Sequence, residues 1–117
     1  MADTLVESQG NVFLRVGNPL PEPIPGNVIT GSLWNLITPD ALNPVKSGRV
    51  FIGSISFEGY ANASDRCMLR DAYDQIIFEA QGNSNLDPVE VHFSEPISVL
   101  DLRLVGLDSG RVVIGVV

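Results

Sequence analysis

Cysteine, histidine, lysine and tryptophan each occur once in this 117-residue sequence, as Cys67, His92, Lys46 and Trp34. A single cysteine excludes an internal disulfide, so the fold must stand on packing alone. One histidine and one cysteine fall short of a four-ligand zinc site. A lone lysine argues against long solvated helices, whose outer faces normally carry several Lys and Glu residues. Seven basic residues against 14 acidic ones leave a net charge of −7. Phosphate binding needs clustered Lys and Arg, so nucleic acid is not an expected partner. The apolar runs are too short to span a bilayer, which removes the membrane as a partner. Residues 1–10 contain Asp3 and Glu7 and lack the basic-then-apolar start of a signal peptide. The expectation is a soluble product made in the cytoplasm.

What is present favours β structure. Hydrophobic residues make up 44% of the chain and charged ones 18%, the balance of a globular protein with a core. The length suits one domain. Val, Ile and Leu dominate, with five Phe, residues that suit pleated, half-buried surfaces. Residues 1–10 are polar and read as a flexible N-terminus, and 11–117 as one domain. Asn11–Val16 is the first predicted strand. Prolines at 19, 21, 23 and 25 then lock φ and remove backbone donors, which makes 18–26 an extended arm. Asn27–Thr38 reads as a strand, and Pro39–Pro44 as a segment with room for one helical turn.

From Arg49 the strand signals come at short, even spacing. Arg49–Glu58 places Phe51, Ile55 and Phe57 on one face and Val50 and Ile52 on the other, with Gly53 marking a bulge or close approach. Asp65–Arg70 and Gln75–Ala80 follow, and a turn-rich stretch from Gln81 to Pro88 leads to the alternating Val89, Val91 and Phe93. Ile97–Val105 reads as one strand, and Asp108-Ser109-Gly110 turns the chain into Arg111–Val117. The sum is an all-β chain. It predicts a single antiparallel β-sandwich, jelly-roll-like, of about eight strands with a proline-rich N-terminal arm.

No catalytic constellation accompanies these strands. His92 sits on the polar face of its strand with no local nucleophile, and reads as a solvated surface residue. Cys67 reads as a buried, inert thiol. Asp65, Asp71 and Asp74 flank one strand and have the oxygen chemistry of a calcium loop, yet Asp71 and Asp74 are equally explained as turn formers. The expectation is therefore no catalytic residue, no metal and no cofactor. Asn62-Ala63-Ser64 fits a glycosylation pattern but reads only as a loop without a signal peptide. Trp34, among Leu33, Leu36 and Ile37, reads as core. Tyr60 and Tyr73 lie beside loops and stay open as ligand-facing aromatics.

A surplus of apolar residues carries more weight. Val112, Ile114 and Val116 fill one face of the last strand, while Val113 and Val117 occupy the other. A strand apolar on both faces is covered twice or pairs with another chain at an edge, which nominates Val113 and Val117 for self-association. The arm, an ordered extended segment, loses little entropy on docking, which nominates Pro19, Pro21, Pro23, Ile24 and Pro25 as its contact residues.

From Lys46 onward the order of features resembles a group of small β-sandwich virion proteins of tailed phages. The resemblance lies in Ser47-Gly48-Arg49-Val50-Phe51-Ile52, Asn62-Ala63-Ser64-Asp65 before Leu69-Arg70-Asp71, and Ile76-Ile77-Phe78-Glu79-Ala80. It continues through Val91-His92-Phe93-Ser94-Glu95-Pro96-Ile97 and Leu107-Asp108-Ser109-Gly110-Arg111-Val112. It covers roughly 60% of the chain, and its fold pattern is shared by many functions. The resemblance implies a non-enzymatic capsid decoration (cement) protein on the virion surface. Its expected partners are the major capsid protein and further copies of itself, a homotrimer being favoured. The rival reading is a carbohydrate- or receptor-binding sandwich of a phage tail or adhesin, with Tyr60 and Tyr73 as its aromatics.

Overall fold

The computed structural model describes residues 24–117. The predicted strand Asn11–Val16, the N-terminal ten residues and the arm positions Pro19, Pro21 and Pro23 lie outside the described residues.

Seven strands form among the described residues: β1 (Leu33–Leu36), β2 (Arg49–Glu58), β3 (Arg66–Arg70), β4 (Ile76–Gln81), β5 (Val89–Leu100), β6 (Arg103–Leu107) and β7 (Arg111–Val116). No helix occurs among the described residues. The strands pair antiparallel in two sheets, of order β1-β7-β2-β5 and β4-β3-β6. One hydrophobic cluster joins them: Trp34, Leu36, Ile52, Ile55, Phe57, Val99, Val112 and Ile114 from the first sheet meet Cys67, Leu69, Ala80 and Leu104 from the second. The architecture is compatible with a β-sandwich, two sheets sharing one core. Each fully buried Leu, Ile or Phe here contributes roughly 1.5–3 kcal/mol relative to exposure. Trp34 is buried, as its neighbours predict, with the Lys46 ammonium 5.8 Å from its ring centroid.

Three sequence expectations change in the sheets. The Gly53 bulge forms, since the register of β2 against both neighbours shifts between Ile52 and Ser54. That extra residue reverses the inward parity, because side chains alternate with a period of two. Ile52 before it and Ile55 and Phe57 after it all point inward, while Phe51 points out. The predicted grouping of Phe51 with Ile55 and Phe57 is therefore wrong. Second, Val89–Leu100 is one strand and contains Pro96. β2 passes from Ile52 to Ser54 while β5 passes from Ile97 to His92, so residues 93–96 make an excursion from the ladder. Proline is tolerated there because the excursion lies on an edge strand and needs no donor. Third, the predicted strand Ile97–Val105 breaks at Asp101. Its φ is 51°, and Asp101 and Gly48 exchange backbone and side-chain hydrogen bonds (Asp101 N to Gly48 O 2.9 Å; Gly48 N to Asp101 Oδ1 2.6 Å). The chain turns that corner from one sheet to the other.

The loops are closed by polar side chains. Asp40 Oδ1 accepts from the amides of Leu42 and Asn43, which makes Pro39–Pro44 a capped bend instead of the predicted helical turn. The bond from the Asn43 side-chain amide, with these two, holds the Asp40 carboxyl below the ordinary aspartate range. Gly110 has φ 75°, and a Cβ there would meet the Glu58 carbonyl oxygen, so only glycine fits this turn.

Candidate interaction surface

The first sheet turns a second face away from the core. Reading the register across it, Asn35, Val113, Ser56 and Glu90 form one row, and Leu33, Gly115, Ser54 and His92 the next. Beyond the bulge, the Val117 amide donates to the Phe51 carbonyl at 2.9 Å, and Phe51 pairs with Ser98. Leu33, Phe51 and Val117 are 59%, 50% and 75% exposed, and Val113 is half-buried beside them. Four apolar side chains thus share one face with serines and a glycine.

Charge divides the two ends of this face. At one end Arg49 donates to Ser98 Oγ at 2.7 Å. The adjoining shallow hollow is lined by Trp34, Lys46, Arg49, Phe51, Val116 and Val117, with Ser47, Gly48 and Val50, and contains no carboxylate side chain. At the other end lie Glu90, 2.6 Å from His92 Nε2, and Glu58, which accepts from Arg111 at 2.8 Å. Both are exposed surface pairs, of small energetic weight.

Of the residues nominated by sequence, Val113 and Val117 lie on this face as expected. The manner of contact differs. β7 lies between β1 and β2, so both of its backbone edges are already paired. Only its outward side chains are available to another chain. Leu33 and Phe51 were not singled out by sequence. The sequence signal for Phe51 is the Gly53 bulge, because one extra residue changes the parity of the strand on either side of it.

The other nominated residues are dispersed. Ile24 is half-buried and Pro25 exposed; the Pro25 carbonyl accepts from Thr38 Oγ1 at 2.6 Å. Asn27 Oδ1 accepts from the amides of Ile37 and Thr38, and Val28 bridges Asn35, which fastens the segment after Pro25 beside β1. Tyr60 does not face a ligand. It is 3% exposed, stacks on Phe57 at 4.6 Å, donates its hydroxyl to the Asp87 carbonyl and accepts from the Asn83 amide. Tyr73 is exposed in the turn from β3 to β4, while Tyr60 packs against Gly82 beyond the far end of β4. The two rings form no common platform.

Asp65 precedes β3 and Asp71 follows it, so the length of the strand separates them. Asp71 accepts from the amides of Tyr73 and Gln75, and Asp74 pairs with Arg103. Asp65 accepts from the Ser109 hydroxyl, which chiefly holds its carboxyl below the usual range. Each carboxylate is thus committed to a turn or a neighbouring cation, and no metal-binding cluster occurs among the described residues. His92 is solvent-exposed on the outer face. Cys67 is buried, and desolvation pushes its thiol up to about 12. No family model, curated protein or solved structure matches the chain.

Proposed function

We propose that this protein is a non-enzymatic structural component that works by covering surfaces, and that its biological setting is a phage capsid decorated by a homo-oligomer. The observation that carries the reading is the outward cluster of Leu33, Phe51, Val113 and Val117 on a fully paired sheet. Such a face leaves apolar area in water, and a partner that covers it removes that cost. In this reading the outer face makes self-contacts, and the arm containing Pro19, Pro21, Pro23, Ile24 and Pro25 reaches the major capsid protein.

The finer fold belongs to the same proposal. A jelly roll is a long hairpin of eight strands rolled up, so that first pairs with last, second with seventh, third with sixth and fourth with fifth. Pairing of β1 with β7, β2 with β5 and β3 with β4 follows that scheme once one strand position lies between β1 and β2. Segment 37–48 fits the vacant place beside β6: the Asp40 and Val45 amides donate to the Leu104 and Leu102 carbonyls at 2.8 and 2.7 Å. Jelly rolls are frequent in capsids and also in lectins, so the topology supports assembly without selecting it.

The test is co-sedimentation of the purified protein with expanded capsids of its virion. Binding is expected, and is expected to weaken when the four arm prolines are replaced by serine. A protein that is monomeric at high concentration and stays in the supernatant contradicts the proposal. The adhesin reading loses its main support with Tyr60, whose ring and hydroxyl are both occupied inside the fold.

A further inference from the structure

We infer that the occupant of this outer face is a second copy of the chain, packed face to face about a two-fold axis that runs across the strands. The inference rests on the proposed role of the face as a contact surface and adds the partner and its orientation. An isologous contact requires a patch complementary to itself. The face meets that requirement along the strand direction. On β2 the outward side chains run Arg49, Phe51, Ser54, Ser56, Glu58; on β7 they run Val117, Gly115, Val113, Arg111.

A two-fold axis across the strands keeps each strand over its own counterpart and reverses its direction. Placed at the level of Ser54 and Gly115, the axis brings Val117 of one copy over Val113 of the other, and Leu33 near its own counterpart. Phe51 then lies over the partner's Ser56, a bulky ring against a short side chain. Arg49 faces the end carrying Glu58 and Glu90, where Arg111 pairs with Glu58 and His92 with Glu90. Among the acidic side chains near the basic end, Asp101 is engaged by the Gly48 amide, and the hollow beside Arg49 is lined by no carboxylate side chain. An axis parallel to the strands would instead keep every residue at its own level, setting the Arg49 end of one copy against the Arg49 end of the other. Only the axis across the strands sets Arg49 against carboxylate side chains of the partner, so charge favours that orientation.

The geometry also bears on stoichiometry. A closed trimer needs two different surfaces in contact, and the route expected from sequence was an open edge on the last strand. β7 has no open edge. Self-complementarity of one face gives a dimer instead.

The experiment is a charge exchange in the full chain, read by sedimentation equilibrium. Arg49→Glu sets a new carboxylate against the acidic end of its partner, and Glu90→Arg adds a cation opposite Arg49. Each variant alone is expected to self-associate on the order of tenfold more weakly than the wild type. Mixed in equal amounts, the two variants restore opposite charges at both ends, and association is expected to return to within about threefold of the wild type. Circular dichroism on each variant establishes that it is folded. Undiminished association of both single variants, or a mixture no stronger than they are, overturns the two-fold orientation. A wild type that remains monomeric but binds capsids, with binding lost in Val113→Glu, assigns the face to the capsid and overturns the second-copy inference alone. A wild type that is monomeric and ignores capsids removes the underlying reading as well.

Discussion

The amide of Val117 donates to the carbonyl of Phe51, and that single bond sets both side chains on the outer face of the four-stranded sheet. It forms only because Gly53 inserts one extra residue into β2. Without the bulge, Phe51 would share the inward face with Ile55 and Phe57, and the surface would lose its largest apolar side chain. A backbone irregularity thus creates the contact surface.

This separation of core from surface is testable with two phenylalanines of the same strand. Phe57→Ala removes a ring with no exposure and is expected to cost about 3–5 kcal/mol in urea unfolding. Phe51→Ala is expected to leave monomer stability within about 0.5 kcal/mol while weakening self-association. A large stability loss at Phe51 would mean that the ring is core after all.

Tyr60 offers a second test, since its hydroxyl links Asn83 and Asp87 across the loop before β5. Tyr60→Phe keeps the stacking on Phe57 and leaves a carbonyl and an amide without their partner. The expected loss is about 1–2 kcal/mol by denaturant unfolding. Glycan binding, the property expected of a ligand-facing tyrosine, is expected to be absent before and after the change.

Cys67 gives a pH dependence. Its thiol is pushed up to about 12 by burial, against 9.0 for a free cysteine, so the native state favours the neutral form. The corresponding stability is fully present below pH 9 and is lost as pH rises toward 12, because only the unfolded thiol ionises in that window. Native protein at pH 8 is expected to resist a thiol-specific disulfide reagent, and to react only at the rate of unfolding. Immediate reaction would show that the thiol is accessible.

The all-β class, the strand-rich region after Arg49, the Gly53 bulge and the burial of Trp34 and Cys67 were legible in the sequence. Each rests on a local rule: β-propensity, alternation, or the chemistry of one side chain. What escaped is non-local. The inward parity of β2 depends on how its neighbours register against the bulge. The interior position of β7 depends on β1, the first strand of the described chain, closing over the last. The burial of Tyr60 requires the 82–88 loop to fold back across it. The candidate surface was half legible: Val113 and Val117 stood out as greasy positions, whereas Leu33 and Phe51 joined them only through pairing.

The most direct test of the account is sedimentation velocity on wild type and Val113→Glu, with thermal unfolding of both. Val113 points outward between Asn35 and Ser56, so glutamate there meets no core residue. The account predicts an oligomeric wild type and a monomeric Val113→Glu with a melting temperature within a few degrees of the parent monomer. A Val113→Glu protein that is folded and still oligomeric would contradict it.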